Sequence, residues 1–326
     1  MAQVFITDRI TNPDIEASFL GDRVSLKFDS QAEILLVWRQ LVDADFIDQF
    51  PKLKAIIRYG IGYERIDISH AKKRNILVCN NPSYCLEEVS DSTLGYIINI
   101  SRGLTRQDAL ARHFTDGWQK NSVPVTRLLA DTSIGVIGAG NIGSKVISKC
   151  IALGMNVVFF DPYLENDKMS ELKNSGAKMA TDLKELLNVS DIVTLHVPLT
   201  DETNGMVDEA FINNMKESSS LINTARGKLF FNLDILHDAL KTEKLQSISL
   251  DVLPEEPPGF ELLLNAWRAR EPWLDGRLII TPHKSYLSDK SLVEMRRQVA
   301  INALDIINNK SPKINSIISH GQMLNN

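Results

Sequence analysis

The length and composition of the chain narrow its class before any motif is considered. At about 150 residues per domain, 326 residues suggest two domains, each large enough to bury its own core. Hydrophobic residues make up 44% and charged residues 24%, which is typical of folded globular proteins and excludes wholesale disorder. The net charge of -5 excludes the basic footprint of a general nucleic-acid binder and favours a small-molecule partner.

The lack of a recognisable targeting signal and the spacing of the cysteines favour a cytoplasmic protein. No uncharged apolar stretch approaches the ~18 to 20 residues that span a bilayer, so we expect no membrane partner. Asp8 and Arg9 come before any apolar signal-peptide region develops. Cys79, Cys85 and Cys150 lack C-x-x-C spacing, so we predict three buried thiols, no disulfide framework and no metal site.

Short apolar runs rich in β-branched residues alternate with segments of helical periodicity, which predicts α/β architecture around mainly parallel sheets. A first series of strands is predicted at 4–6, 34–38, 55–59 and 76–79. A second series is predicted at 133–137, 157–160, 192–197, 221–223, 248–252 and 278–280. Helices are predicted between the two series, from Leu86 to Gly103 and from Leu110 to about Trp118.

The segment after His283 has the spacing of one amphipathic helix, with Ser291 and Glu294 as its predicted capping box. This tail is too short to form a domain, so we expect it to pack against the first sheet. The first domain is then discontinuous, with the second inserted into it. The predicted boundaries are 1–102 with 286–326 for the first domain and 103–285 for the second.

A glycine-rich motif of the pattern G-x-G-x-x-G opens the second series of strands. An apolar run leads into it and helical spacing follows it up to Gly154, which predicts a strand, a tight turn and a helix. Glycine lets the backbone approach a pyrophosphate, while the helix N-terminus offers free N–H groups and partial positive charge. The motif comprises Gly138, Ala139, Gly140, Asn141, Ile142 and Gly143.

Asp161 ends the next predicted strand, about 20 residues after the motif, where an acid commonly binds the adenosine ribose. Its charge would repel a 2′-phosphate, and the following residues 162–164 supply no Arg to accept one. The pattern therefore favours NAD over NADP. A structural turn with a solvated Asp is the alternative interpretation.

A nucleotide triphosphatase P-loop is the rival for the same glycines, because Gly138 and Gly143 have its spacing. In a P-loop a Lys precedes the Ser or Thr, so that the Lys reaches the phosphates and the hydroxyl reaches magnesium. Ser144 and Lys145 stand in the reverse order, which argues against this alternative.

Charged side chains follow three predicted strands of the second series, namely Arg226, Glu256 and His283. Ligands bind beyond the carboxyl ends of parallel strands. Arginine can bind a carboxylate through two hydrogen bonds, histidine titrates near pH 7, and glutamate can orient its ring. Together they predict a site that reduces a 2-oxo acid. Singly, each has a structural alternative, and His196 at another strand end is a rival proton donor.

Six ordered motifs, spread over nearly the whole chain, carry one resemblance. They lie at 58–63, 138–143, 196–200, 223–227, 251–257 and 281–283. Through them the sequence resembles the D-isomer-specific 2-hydroxyacid dehydrogenases, and segments 87–94 and 160–164 look most like the C-terminal-binding-protein branch. The resemblance implies two Rossmann-like domains, an NAD-binding domain inserted into a discontinuous flavodoxin-like substrate domain, and a homodimer.

By motif position, the resemblance implies that Arg226 binds the substrate, that His283 is the acid/base and that Glu256 is its partner. It also implies that a loop offers backbone N–H groups to the substrate, formed by Tyr59, Gly60, Ile61 and Gly62. Beyond the glycine motif, the residues expected at the cofactor are Asp161, Pro162, His196, Val197, Pro198, Thr203, Thr224, Ala225, Arg226, Asp251 and His283.

The interval between Glu256 and His283 is longer than is usual in the family. Its extra segment, 262–276, contains Trp267 and Trp273. This segment is predicted to be a lid or a dimer contact, with a surface loop packed by its two tryptophans as the alternative.

These observations predict an NAD-dependent oxidoreductase that interconverts a 2-oxo acid and a D-2-hydroxy acid by hydride transfer. The alternative is an NAD(H)-sensing dimeric interaction protein with little turnover, because the branch resemblance admits it. Retention of Arg226, Glu256 and His283 favours the enzyme.

Overall fold

The computed structural model of the protein describes residues 3–112, 126–312 and 316–318. The chain forms two compact units, Met1–Cys85 with Leu287–Asn326, and Leu86–Tyr286. The first of these boundaries precedes the predicted one at 102 because the helix at 86–102 packs within the second unit, where it contacts the helix after the glycine motif.

The first unit is built on a parallel sheet of the order β2-β1-β3-β4-β5, the flavodoxin-like arrangement. The residues of β1 and β3 are all buried, as expected for strands covered on both faces. In chain order its elements are β1 (Val4–Ile6), α1 (Asp14–Leu20), β2 (Val24–Ser25), β3 (Ile34–Val37), α2 (Ala44–Asp48), β4 (Ala55–Arg58), α3 (Ile68–Lys73) and β5 (Leu77–Cys79).

The second unit carries seven parallel strands in the order β12-β11-β10-β9-β6-β7-β8. The strand order changes direction between β6 and β9, because β7 and β8 follow on one side of β6 and β9 to β12 on the other. Open α/β sheets bind ligands at such a switch point. Its elements are α4 (Leu86–Arg102), α5 (Leu104–Arg112), β6 (Ser133–Ile137), α6 (Asn141–Ala152), β7 (Asn156–Phe160), α7 (Asn166–Asn174), β8 (Lys178–Met179), α8 (Leu183–Val189), β9 (Ile192–Leu195), α9 (Glu209–Asn214), β10 (Ser219–Asn223), α10 (Asp234–Lys241), β11 (Leu245–Leu250), α11 (Leu262–Arg268) and β12 (Leu278–Ile280).

The chain then returns to the first unit through α12 (Asp289–Ile307) and β13 (Ser316–Ile318), which pairs antiparallel with β5. The predicted capping box of Ser291 and Glu294 is wrong. The Ser288 hydroxyl accepts the Ser291 N–H at 3.0 Å, and the Ser291 hydroxyl accepts the Ser288 N–H at 2.8 Å. Helix α12 therefore begins earlier than its apolar pattern suggests.

The predicted fold class of two Rossmann-like α/β units is confirmed, and every predicted strand is present with small shifts at its ends. The two-residue strands β2 and β8 and the C-terminal β13 escaped prediction because they are too short to show a period. The second connecting helix begins at Leu104 rather than Leu110, and positions 113–118 of its predicted span lie outside the described residues.

Glu16, a fully buried residue of α1, joins three separate segments of the first unit. Its carboxylate accepts a hydrogen bond from the Tyr59 hydroxyl at 2.8 Å, just beyond β4. It also accepts the Arg296 Nε–H of α12 at 3.0 Å and pairs with Arg296 Nη2 at 2.5 Å. Helix α12 adds apolar side chains to the same core, namely Met295, Val299 and Ala303.

The three cysteines lie in the interior of the protein. Cys79, Cys85 and Cys150 are buried thiols outside any disulfide, as predicted, and burial raises the pKa of the Cys150 thiol to about 12. Among the helices of the described residues, none is both long and apolar enough to cross a bilayer.

Arg277 is a buried cation that ties strand β12 to its surroundings through carbonyl groups. Its Nε donates to the Gln246 oxygen at 2.9 Å, and its Nη2 donates to the Leu240 and Leu245 oxygens at 2.8 and 3.0 Å. Its Nη1 donates to the Trp273 oxygen at 3.2 Å.

We predict that Arg277→Met lowers the free energy of unfolding by about 2–4 kcal/mol, because several buried carbonyls lose their donor at once. Urea denaturation measures the loss. Arg297→Met is the control: Arg297 is half-exposed and contacts Glu294 only at 3.4 Å, so its loss should stay near 0.5 kcal/mol. Equal losses for the two variants would contradict the stabilising role of Arg277.

Candidate active site

The glycine-rich turn connects β6 to α6 and packs tightly against the end of β9. A Cβ at Gly143 would lie 1.9 Å from the Gly138 carbonyl oxygen, and one at Gly138 would lie 2.7 Å from the His196 oxygen. Gly138 also has φ 87°, which favours glycine. Gly140, in contrast, has no described protein atom within 4 Å of its Cβ position, so its missing side chain leaves space for a ligand.

Asp161 lies directly after β7 and faces this turn. One carboxylate oxygen accepts the Ala139 N–H at 2.9 Å, and the other accepts the Tyr163 N–H at 3.0 Å. Each oxygen keeps a second lone pair. The carboxylate is thus held rigidly beside the turn and can still accept the hydroxyl groups of a ribose, which fits the adenosine half of NAD.

Lys145, which the P-loop alternative would place on phosphates, instead pairs with Glu87 of α4 at 2.5 Å. Together with Lys149, this ammonium group lowers the pKa of the Glu87 carboxyl to about 2. The Lys145 side chain is therefore directed to α4 and not to the glycine turn, which disfavours a triphosphatase.

His196 is half-buried at the end of β9, and its Nε2 lies 3.0 Å from the Thr194 hydroxyl. Burial lowers the pKa of its imidazole to about 3. A ring that stays neutral at physiological pH is a poor proton donor, so the structure disfavours the rival role considered for His196. Its backbone instead forms the wall against which the glycine turn packs.

Arg226 leaves the end of β10 in a turn fixed by Asn223. The Asn223 side chain accepts the Ala225 N–H at 2.9 Å and donates to the Arg226 oxygen at 2.8 Å. A Cβ at Gly227 would lie 1.9 Å from the Leu253 carbonyl carbon, so the turns after β10 and β11 are in direct backbone contact. The chain after β11 leads on to Glu256.

His283 and Glu256 form a pair at the ends of β12 and β11. His283 Nδ1 lies 2.8 Å from Glu256 Oε2 and 3.0 Å from Oε1. An ionised carboxylate only accepts, so Nδ1 carries the proton of this hydrogen bond. Within the described residues Nε2 makes no hydrogen bond, and the half-buried ring can present it to a ligand.

The buried carboxylate of Asp251 fixes the loop that carries His283. It accepts the Thr281 hydroxyl at 2.6 Å and the N–H groups of Lys284 and Ser285 at 2.9 and 3.0 Å. His283 itself has φ 54°, a left-handed conformation that is unfavourable for a non-glycine residue. Such conformations cluster where surrounding contacts and function require them.

Helix α4 supports this loop through side chains that the sequence analysis did not single out. The Tyr96 hydroxyl lies 2.7 Å from the Thr281 hydroxyl, and Thr93 lies 3.1 Å from the Thr224 hydroxyl. Since Thr281 donates to Asp251, Tyr96 donates to Thr281. In the sequence, Thr93 and Tyr96 are polar residues spaced three apart, which places them on one face of the predicted amphipathic helix.

The first unit holds the predicted substrate loop. The carbonyls of Gly60, Ile61 and Gly62 accept hydrogen bonds from Asn81 N, Asn80 Nδ2 and Arg58 Nε, respectively, at 3.1, 2.7 and 2.7 Å. Within the described residues, the three N–H groups of this loop make no hydrogen bond. They remain available to an anion.

The prediction for Tyr59 needs correction. Its N–H donates to the Val37 oxygen at 2.9 Å, and its side chain is fully buried with its hydroxyl on Glu16. Tyr59 therefore has neither group free for a substrate, because it supports the loop from inside the core. The substrate-binding prediction narrows to Gly60, Ile61 and Gly62.

The extra segment at 262–276 folds as α11 followed by a short 3-10 turn. Trp267 and Trp273 are partly buried against the core of the second unit, and Lys241 lies 4.3 Å from the Trp273 ring. Thr105 donates to the Gly276 oxygen at 3.0 Å. These contacts support the structural alternative over the predicted lid.

The remaining predicted cofactor residues lie on the loops at the carboxyl ends of the strands. Thr203 shapes its loop, since its hydroxyl accepts the Thr200 N–H at 2.8 Å and donates to the Pro198 oxygen at 2.6 Å. No cluster of three or more His, Cys, Asp or Glu suited to a metal occurs in the part of the chain that is described.

Residues 94–285 match the family model described as D-isomer specific 2-hydroxyacid dehydrogenase, NAD binding domain. The chain is 32% identical over 250 residues to D-3-phosphoglycerate dehydrogenase of Methanocaldococcus jannaschii, covering 77% of this chain but only 45% of that protein. It is 31% identical over 268 residues to glyoxylate reductase of Korarchaeum cryptofilum, covering 81% and 76%.

Among solved structures, the fold is similar to D-lactate dehydrogenase of Aquifex aeolicus in complex with NAD and lactic acid. The TM-score is 0.79 at 29% identity, over 94% of this chain and 95% of that one. The protein belongs to the D-isomer-specific 2-hydroxyacid dehydrogenase family. The predicted family, its enzyme class and NAD as the cofactor are thereby confirmed. The C-terminal-binding-protein branch and the homodimer stay predictions.

We predict that Tyr96→Phe lowers kcat about 3- to 10-fold while NADH affinity changes less than 2-fold, because the hydroxyl supports the His283 loop and not the cofactor turn. Steady-state kinetics and NADH fluorescence titration measure the two effects. Thr281→Val should show the same pattern, whereas Thr281→Ser, which keeps the hydroxyl, should retain near-normal kcat. Loss of NADH affinity in step with kcat would indicate a general structural role for Tyr96.

His196 should make folding sensitive to acid. Its folded pKa of about 3 lies below the ordinary value of 6.5, so as pH falls below 6.5 the unfolded chain takes up the proton first and stability declines. His196→Gln should shrink the stability loss between pH 7.5 and pH 5 by about 1 kcal/mol, allowing for solvent screening.

Urea midpoints at the two pH values measure this loss. His237→Gln is the control, because His237 is also half-buried but lies beside the exposed carboxylate of Asp238. The prediction fails if His196→Gln and the wild type lose equal stability.

Proposed function

We propose that the protein reduces a small 2-oxo acid to the D-2-hydroxy acid with NADH and catalyses the reverse oxidation with NAD. The observation that carries this proposal is the His283–Glu256 pair, which leaves Nε2 free to exchange a proton. Arg226 follows the neighbouring strand β10, and the turns after β10 and β11 touch at Gly227. Acid/base and carboxylate-binding groups thus share one edge of the sheet.

The cofactor would be held mainly by the glycine turn. Its backbone at Gly140, Asn141 and Ile142 begins α6, whose N-terminus favours the pyrophosphate, and Asp161 would accept the ribose hydroxyls. When bound, NADH would supply the hydride for reduction, and NAD would take up the hydride in oxidation. The other proposed contacts are Gly138, Gly143, Pro162, His196, Val197, Pro198, Thr203, Thr224, Ala225, Arg226, Asp251 and His283.

His283 would move the proton. In reduction, Nε2–H gives its proton to the carbonyl oxygen as C2 receives the hydride, and in oxidation Nε2 takes that proton from the hydroxyl. Glu256 keeps Nδ1 protonated and stabilises the charged imidazolium. The ring therefore always meets the substrate through Nε2.

Arg226 would bind the substrate through its carboxylate. A guanidinium can form two parallel hydrogen bonds with a carboxylate, which orients the neighbouring carbonyl for attack. Its backbone is fixed on both sides by Asn223. The free N–H groups of Gly60, Ile61 and Gly62 are proposed as further carboxylate donors.

The names of the relatives define the first substrates to test. Glyoxylate and pyruvate with NADH, and D-lactate and 3-phosphoglycerate with NAD, cover the activities that those names state. Measurable turnover of one of these acids, with a D-configured product where C2 is chiral, supports the proposal. NADH-dependent association without turnover would favour the sensing alternative.

We predict that His283→Asn reduces kcat about 100-fold or more while NADH still binds, because a general acid or base contributes ~10²- to 10⁴-fold and the cofactor turn is untouched. NADH oxidation at 340 nm and fluorescence titration measure the two effects on the best substrate of the screen. His237→Asn is the control and should keep wild-type turnover. Near-normal turnover by His283→Asn would remove its assignment as the acid/base.

A further inference from the structure

A hydrogen bond between two exposed side chains crosses the cofactor edge of the second unit. The Tyr163 hydroxyl donates to Glu202 Oε2 at 2.5 Å. Tyr163 follows β7 and Glu202 follows β9, and in the sheet β6 lies between these two strands. The bond therefore spans the end of β6, where the glycine turn begins.

Both residues are presented by rigid turns. The Tyr163 N–H is held by Asp161 at 3.0 Å, so the same carboxylate that faces the glycine turn positions the tyrosine. Glu202 lies between Thr200 and Thr203, whose hydroxyls lie 3.2 Å apart and close the turn. Little conformational freedom is left to either backbone, so the side-chain contact is preorganised.

The exposure of Tyr163 has no explanation in the packing of the second unit. The residue is 75% exposed although its side chain is a large amphipathic ring. The neighbouring Glu202 raises the pKa of the Tyr163 hydroxyl, which keeps the donor protonated at physiological pH. An exposed ring fixed by its hydroxyl has a face available for another planar group.

The charge around this bond is negative. Asp161 accepts a hydrogen bond from the glycine turn and Glu202 accepts one from Tyr163, and the loops at 161–165 and 196–205 contain no Lys or Arg. A 2′-phosphate on the adenosine ribose would bring about two more negative charges to this place. Because like charges repel and no cation is supplied by these loops, such a ligand is disfavoured.

We propose that Tyr163 and Glu202 form a clasp over the adenosine half of the cofactor, in which the ring covers the nucleoside and the Glu202 carboxylate acts with Asp161 to exclude NADP. The proposal rests on NAD as the cofactor and is independent of the roles assigned to His283 and Arg226. Tyr163 covers the nucleoside and Glu202 excludes NADP, so separate substitutions of the two residues can test the two functions.

Glu202→Gln tests the charge. The amide oxygen of Gln can still accept the Tyr163 hydroxyl, so the bond remains while the charge is lost. We expect the ratio of the NADPH and NADH dissociation constants to fall about 3- to 10-fold, mainly through tighter NADPH binding. Fluorescence titration of the intact protein without 2-oxo acid measures both constants.

Tyr163→Phe tests the bond, because it keeps the ring and the charge but removes the donor. We expect the NADH dissociation constant to rise about 2- to 5-fold, and the double variant with Glu202→Gln to bind NADH no more weakly than Tyr163→Phe alone. Tyr163→Ala, which also removes the ring, should raise the constant further.

Asp201→Asn is the matched control. It removes one negative charge from an exposed neighbour of Glu202 in the same turn, so it reproduces any general effect of loop charge. An NADPH-to-NADH ratio that shifts equally in Asp201→Asn and Glu202→Gln would overturn the proposal, as would an unchanged ratio in Glu202→Gln. Because the titrations need no turnover, an inactive protein that shows the expected shifts would contradict the proposed catalysis alone.

Discussion

The buried carboxylate of Asp251 is the interaction on which the loop of His283 in the second unit depends. A buried charge is tolerated only when hydrogen bonds compensate for lost water, and here a hydroxyl and two backbone N–H groups do so. Those donors belong to Thr281, Lys284 and Ser285, which flank His283 on both sides. The need to satisfy one charge thus holds the loop of His283 in a conformation that this residue would otherwise avoid.

Two groups of loops lie at the carboxyl edge of the seven-stranded sheet, one at each end of the strand order. The loops after β6 and β7 supply the features that suit a dinucleotide, whereas the ends of β10, β11 and β12 supply Arg226, Glu256 and His283. Strand β9 lies between the two groups, and His196 at its end packs against the glycine turn. Because burial lowers the pKa of its imidazole to about 3, His196 adds no positive charge at this strand end near neutral pH.

Much of this arrangement could be predicted because its signals are local. The glycine motif, Asp161 and the polar residues at strand ends are visible in single short segments, and the parallel sheet brings them to one edge. The contacts of Tyr96 and the bond between Tyr163 and Glu202 join residues far apart in the chain. The spacing of residues along a helix can place Tyr96 on a face, but no period or spacing identifies the distant residue that a side chain contacts. The prediction for Tyr59 was wrong for the same reason, since Tyr59 follows strand β4 whereas its partner Glu16 lies in helix α1.

The meeting of Glu16, Tyr59 and Arg296 has a consequence for how the polypeptide matures. During synthesis positions 1–85 emerge from the ribosome before the inserted unit does. The guanidinium of Arg296, which neutralises Glu16, emerges only after the whole inserted unit. The inserted unit has its complete sheet before that moment, while the earlier segment still lacks the apolar side chains of α12. The middle of the polypeptide can therefore reach its native state ahead of the beginning, which stays dependent on residues made about 200 positions later.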